Sequence, residues 1–268
     1  MSVQVGRHRV GNEEPLTLFA GVNVLESRDL ALRVADALLA VADQIPVVFK
    51  ASFDKANRSS VHSFRGPGPD EGLCWLAEVR AMGLPVLTDI HAPEQAQMVA
   101  EVVDLLQIPA FLCRQTDLIA AAAETGKPLH IKKMQMMAPA EMGNVLAKAR
   151  ALGASGVILC ERGTSFGYNN LVVDPLSFTQ MKALGAPVSF DVTHSLQLPG
   201  GLGAATGGRR EFVEPLAIAG VSQGIAALFL ELHPNPDRAL CDGPCALPLG
   251  SLQGLIRRLL AFDAVAKS

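Results

Sequence analysis

The sequence predicts an α/β fold, a TIM (β/α)8 barrel with a short N-terminal hairpin extension, and three observations carry that prediction. Eight short apolar runs alternate with longer helical patterns through nearly all of the 268 residues. Several helical stretches end in Gly followed within two or three residues by Pro and a new apolar run, as in MGLPV, TGKPL and LGAPV. That punctuation stops a helix and restarts the chain as a strand. The apolar runs, finally, end in charged or amide residues, where a barrel of this type carries its chemistry. Strict alternation favours the closed barrel over an open doubly wound sheet.

In chain order, VQVGRHRVG reads as a hairpin that caps the N-terminal end of the barrel. Strands are expected over 17–24, 46–52, 85–91, 105–111, 128–134, 156–163, 187–194 and 226–233. Between them lie helical segments such as ESRDLALRVADALLAVADQ, DEGLCWLAEVRAMG, PEQAQMVAEVV, QTDLIAAAAETG, APAEMGNVLAKARALG and EFVEPLAIAGVSQG. A final helix in PLGSLQGLIRRLLAFDAV closes the chain, so residues 1–268 are expected to form one barrel domain.

Composition excludes other classes. A net charge of −3 does not suit a general polyanion binder, which needs a basic face, so no nucleic-acid partner is expected. The first residues, MSVQVGRHRVGNEE, lack the apolar stretch of a signal peptide, and no uncharged apolar segment reaches the roughly 20 residues that span a bilayer. A cytoplasmic location without a membrane partner is the expectation. Five cysteines with no CxxC pair point to reduced thiols, not to a disulfide framework or zinc knuckle.

The strand ends are unusually polar. Alternate residues share a face of a strand, so Val48, Lys50 and Ser52 lie together, as do Leu87, Asp89 and His91, then Ile158, Cys160 and Arg162, then Phe229, Glu231 and His233. If the apolar member points into the barrel, its polar partner lies at the mouth. A single such residue is as well explained by an ion pair at the rim, but charges recurring on strand after strand need a ligand or one another. Lys50, Lys55, Arg58, Lys132 and Arg162 supply cations, and Asp89, Glu231 and Asp242 supply anions. That excess of Lys and Arg implies an anionic substrate carrying more than one phosphate or carboxylate. His194, Glu231 and Asp242 are also of metal-binding types, although scattered ligands are weak evidence for an ion. LPGGLGAATGGRRE, residues 198–211, matches no phosphate-loop pattern and reads as a mobile lid after strand seven.

The segments FKASFDKANRSSVHSFRGPG, TDIHAPEQA, LLQIPAFLCRQTDL, ILCERGTSFGYNNLVVD, FDVTHSLQLPGG, GGRREF and LHPNPDRALCDGP together resemble the 3-deoxy-D-manno-octulosonate 8-phosphate (KDO 8-phosphate) synthase family. KANRSS separates that family from the 3-deoxy-D-arabino-heptulosonate 7-phosphate synthases, which are similar in barrel and chemistry. The resemblance implies a homotetramer that condenses phosphoenolpyruvate with D-arabinose 5-phosphate in lipopolysaccharide synthesis. Residue by residue, it implies that Lys50, Ser52, Lys55, Gln107, Ala110, Lys132 and Arg162 hold phosphoenolpyruvate. Asn57, Arg58 and Ser59 would hold arabinose 5-phosphate, with Phe111 and Arg114 reaching a neighbouring subunit's site. Asp89, His194, Glu231 and Asp242 would surround the reacting carbons and the water. The family has metal-dependent and metal-independent forms, and Asn23 stands where the metal-dependent form has a cysteine ligand. CDGP resembles the metal-independent form too, whereas LPGGLG and ERGTSFGYNNL are closer to the other. The reading implied is a metal-independent enzyme with no cofactor.

Overall fold

In a computed structural model that describes residues 1–57, 60–200 and 207–268, the eight strands close into a parallel barrel. The chain opens with the antiparallel hairpin β1 (Ser2–Val5) and β2 (His8–Gly11). The first barrel strand, β3 (Thr17–Val24), leads to α1 (Arg28–Leu39), whose N-terminus is capped by the Ser27 hydroxyl accepting from Leu30 N–H. The alternation continues as β4 (Val47–Ser52), α2 (Pro69–Ala81), β5 (Val86–Asp89), α3 (Gln95–Val102), β6 (Leu105–Ile108), α4 (Thr116–Glu124), β7 (Leu129–Lys132), α5 (Met142–Ala151) and β8 (Val157–Glu161). A two-residue hairpin of β9 (Thr164–Ser165) and β10 (Leu171–Val172) precedes α6 (Leu176–Ala183) and β11 (Val188–Asp191). The short helix α7 (Val192–Ser195) follows, then the mouth ribbon β12 (Gln197–Leu198) with β13 (Gly207–Gly208), and α8 (Val213–Val221). The last barrel strand β14 (Ala227–His233) pairs with both β3 and β11 and so closes the ring, before β15 (Leu247–Pro248) and α9 (Leu252–Ala266).

Two apolar layers result. The outward faces of the strands, including Leu18, Phe49, Leu106, Ile131 and Phe190, pack beneath the helices in the larger core. Inside the barrel, Phe19, Val48, Leu87, Leu105, Ile158 and Phe229 form a second cluster, and Val3, Val5 and Val10 of the hairpin seal it from the N-terminal end. The hairpin is therefore the cap that the sequence predicts. The inward apolar members are those the parity argument names, and their polar partners rise above them at the C-terminal mouth.

The expected strands overrun the observed ones. Residues 109–111 leave the sheet because Pro109 begins a 3-10 turn over Ala110–Leu112. Residues 192–194 leave it because the Asp191 carboxylate accepts from His194 N–H and starts α7. His194 thus sits on a helical turn and not on strand seven. Of the expected lid, 198–211, residues 201–206 lie outside the described residues.

The pairing of β3 with β4 shifts register between Gly21 and Val24, so that three residues on β3 advance past two on β4. Such a bulge re-aims a side chain, and here it carries Asn23 to the mouth. Gly21 makes the close approach possible, since a Cβ there would overlap the Lys50 carbonyl. Gly21→Ala is expected to cost at least about 2 kcal/mol and to displace Lys50, read as a lowered urea midpoint together with lost turnover.

Candidate active site

Lys50 and Lys132 do not stand at the mouth as free cations. Lys50 Nζ is buried between Glu231 Oε1, 2.8 Å away, and the Asn23 carbonyl at 3.0 Å. Burial lowers its pKa against the pull of Glu231. Lys132 Nζ donates to Asp191 Oδ2 at 2.6 Å and lies 3.8 Å above the Phe229 ring, which also faces Lys50 Nζ at 5.3 Å. The cationic excess expected from sequence is thus partly offset by neighbouring carboxylates. A buried ammonium without a partner is too costly to keep.

Arg162 is different. Its Nη2 donates to Gln197 Oε1 at 2.9 Å, while Nη1 is buried without a partner among the described residues. Arg162 also lines the open cleft, so a guanidinium with a spare donor stands at the wall where a ligand enters.

The carboxylates are held ionised. Burial alone would raise Asp89, but the His91 hydrogen bond and the charges of His91, Lys55 and Lys50 hold it well below the usual range. Its contacts are His91 Nε2 at 3.0 Å and the Ser52 hydroxyl at 2.5 Å. Asp191 is likewise buried yet kept well below by His194, Lys132 and Arg162. Glu231 is driven to about 2, where His194, Lys50 and Lys55 outweigh the cost of burial. Burial opposes the charge on Lys55 also, but Asp89 and the acidic groups around Glu231 leave it raised.

Asn23, Glu231, Asp242 and His194 meet at one side of the mouth. Asn23 Nδ2 donates to Glu231 Oε2 at 2.6 Å and to Asp242 Oδ2 at 3.1 Å. His194 Nδ1 lies 2.8 Å from Asp191 Oδ2, and its Nε2 is 3.7 Å from Glu231 and 4.0 Å from Asp242. Asp242 is held at φ 49°, a left-handed conformation uncommon for a residue with a side chain. An amide N–H between the two carboxylates satisfies them as a donor and cannot ligate an ion. Among the described residues no group of three His, Cys, Asp or Glu is arranged to hold a metal ion.

A cleft of about 700 Å³, open to solvent, gathers Lys50, Lys55, Asn57, Asp89, Gln107, Ala110, Phe111, Lys132, Arg162, His194 and Asp242. Ser52 and Glu231 are buried and touch this lining through Asp89 and Lys50, and Asn23 does so through Asp242. Phe111 stands half exposed at the rim. Arg114 does not reach this cleft in its own chain and lines a separate cavity with Glu141 and Lys148. Arg58 and Ser59 lie outside the described residues. The structure adds Gln135 and Gln197, which sequence did not single out, and gives contacts to His91 and Asp191, polar strand-end residues to which sequence assigned no role. Asp191 had a usable signal in its DxxH spacing to His194, which places both on one turn.

A parallel barrel with paired lysines, ionised carboxylates and an unsatisfied arginine at its C-terminal mouth is built as an enzyme for small anionic substrates. The chain belongs to the DAHP synthetase I family, whose model matches residues 2–262. It is 58% identical to the 2-dehydro-3-deoxyphosphooctonate aldolase of Hahella chejuensis, over 99% of this chain and 96% of that protein. Proteins of the same name from Azotobacter vinelandii, at 57%, and Psychromonas ingrahamii, at 54%, match over the same shares. Among the described residues no helix is long and apolar enough to cross a membrane.

Proposed function

We propose that the cleft condenses phosphoenolpyruvate with D-arabinose 5-phosphate and water, giving 3-deoxy-D-manno-octulosonate 8-phosphate and phosphate for lipopolysaccharide synthesis. The observation that carries this reading is the convergence of Lys50, Lys55, Lys132 and Arg162 on one cleft, in a chain 58% identical to a 2-dehydro-3-deoxyphosphooctonate aldolase. Lys50, Ser52, Lys55, Gln107, Ala110, Lys132 and Arg162 hold phosphoenolpyruvate in this reading. Asn57, Arg58 and Ser59 hold the sugar phosphate. Asn23, Asp89, His194, Glu231 and Asp242 surround the reacting carbons. C3 of phosphoenolpyruvate attacks the aldehyde carbon, whose oxygen takes a proton, and water adds at C2. The tetrahedral species then loses phosphate by C–O cleavage. Preorganised cations stabilise this charge-dense path, and neither Lys50 nor Lys132 forms a Schiff base.

The enzyme is of the metal-independent form in this reading, supported by the Asn23 amide donating to both Glu231 and Asp242. We also place it in the cytoplasm, as one barrel domain assembled into a homotetramer in which Phe111 and Arg114 approach a neighbouring subunit's site. The exposure of both residues at the mouth side agrees with such a role.

Phosphate release from the two substrates, measured before and after chelation, tests the reaction and the metal reading together. Full activity in chelator is expected. Turnover of erythrose 4-phosphate in place of arabinose 5-phosphate would overturn the substrate assignment. Asn23→Cys is expected to take up zinc or iron stoichiometrically, and no uptake would show that His194, Glu231 and Asp242 cannot converge on an ion.

A further inference from the structure

His130 lies inside the barrel on β7, two residues below Lys132, and the reaction above gives it no part. Its side chain is wholly enclosed. Phe19 meets the ring edge-on at 5.4 Å between centroids, and Phe229 lies nearly parallel to it at 6.0 Å. The two ring nitrogens contact groups on different strands. Nδ1 is 3.0 Å from Gln107 Oε1, and Nε2 is 2.7 Å from Ser189 Oγ.

These contacts have a direction. With Gln107 Oε1 placed against it, Nδ1 is the donor of this pair, and Nε2 accepts from the Ser189 hydroxyl. The Ser189 hydrogen is then committed, which agrees with the long 3.4 Å separation between Ser189 Oγ and the Leu159 carbonyl. Burial, with the Lys132 charge adding to it, pushes the imidazolium pKa down to about 3, so the ring stays neutral near pH 7. Gln107, at the other end of the contact, lines the cleft.

We propose that His130 is a positioning residue for the anion pocket: by donating to Gln107 Oε1 it turns the amide so that the NH2 group faces the cleft as a donor to phosphoenolpyruvate. Without that donor the carboxamide is free to reverse, presenting an oxygen to an anionic ligand. A reversed amide loses a hydrogen bond to the ligand and adds repulsion in its place. Ser189 completes the arrangement, its hydroxyl lying 2.7 Å from Nε2 and able to donate to it. The inference rests on the assignment of Gln107 to phosphoenolpyruvate made above.

The test compares His130→Asn, which keeps an N–H near the Nδ1 position, with His130→Gln, whose amide lies near the Nε2 position and leaves Gln107 unmatched. In steady-state kinetics His130→Gln is expected to raise KM for phosphoenolpyruvate about tenfold, the effect of one hydrogen bond to a charged group, with KM for arabinose 5-phosphate little changed. His130→Asn is expected to recover most of that loss. In a Gln107→Met background neither change should raise KM for phosphoenolpyruvate further, because the two residues act as one unit. Equal losses in both His130 variants, a matching rise for both substrates, or additivity with Gln107→Met would overturn the role. Nitrogen-15 NMR of the wild type gives a readout independent of how the variants fold. A neutral, Nδ1-protonated His130 ring between about pH 6 and 8 is expected, and an Nε2-protonated or titrating ring would overturn the proposal. Inactivity of the wild type would remove the functional reading and this role together, whereas an active enzyme with indifferent His130 variants would remove the role alone.

Discussion

Lys132→Met is expected to lower kcat/KM for phosphoenolpyruvate by about 10³-fold, with much of the loss in kcat, as for removal of a preorganised donor that meets developing charge. Lys132 sits where the inner wall of the barrel opens into the cleft, fixed from one side by Asp191 and from below by Phe229. Methionine fills similar volume and keeps contact with the ring, so the change removes charge with little loss of packing. Asp191 still has His194 within 2.8 Å and is not left alone. Stability should accordingly fall less than activity. Phosphate release under saturating and limiting phosphoenolpyruvate, beside a thermal melt, separates the two effects. Activity within tenfold of wild type would mean that Lys132 does not meet the charge of the reacting group.

The largest stability effect is expected from Glu231→Ala, at about 3–5 kcal/mol, because removing one partner of a buried pair leaves the other uncompensated. Glu231 is fully buried, with Lys50 on one carboxylate oxygen and Asn23 on the other. Among the described residues Lys50 would then keep the Asn23 carbonyl alone as a hydrogen-bond acceptor, close to the like charges of Lys55 and Lys132.

The effect carries a pH signature. Glu231 is held at about 2 in the folded chain against an ordinary value of 4.5. A depressed carboxyl contributes its full stability above the unfolded pKa and loses it as pH falls through the folded one. The difference in urea midpoint between wild type and variant should therefore be constant above about pH 5 and shrink below it. Asp89 and Asp191, depressed in the same direction, make the wild type itself lose stability over that acid range. A midpoint difference unchanged between about pH 6 and 3 would show that the carboxylate is not held as described.

Much of this molecule follows from patterns of short range. The period of two along each strand is a local property, and it places Lys50 above Val48, Asp89 above Leu87 and Glu231 above Phe229 before any strand is paired with another. The Gly-Pro punctuation likewise marks where helices stop. The sequence is less legible where the pattern weakens. α6, with Leu176 exposed and only Ser177, Phe178 and Met181 buried, forms a poor apolar stripe, and the strand ends run on in apolar residues after the sheet has stopped.

The sequence by itself determined the barrel, its hairpin cap and the set of charged residues that face the mouth, because side-chain alternation and helix punctuation act between near neighbours. The tertiary structure alone decided which charges meet. Lys132 and Asp191 are 59 residues apart, Asn23 and Glu231 are 208 apart, and His130 reaches Gln107 and Ser189 on other strands. Those pairings depend on strand register, on the bulge that re-aims Asn23 and on the turn that lifts His194 out of the sheet. Closure of the ring sets the distances, and the cost of burying a charge without a partner then selects the pairs.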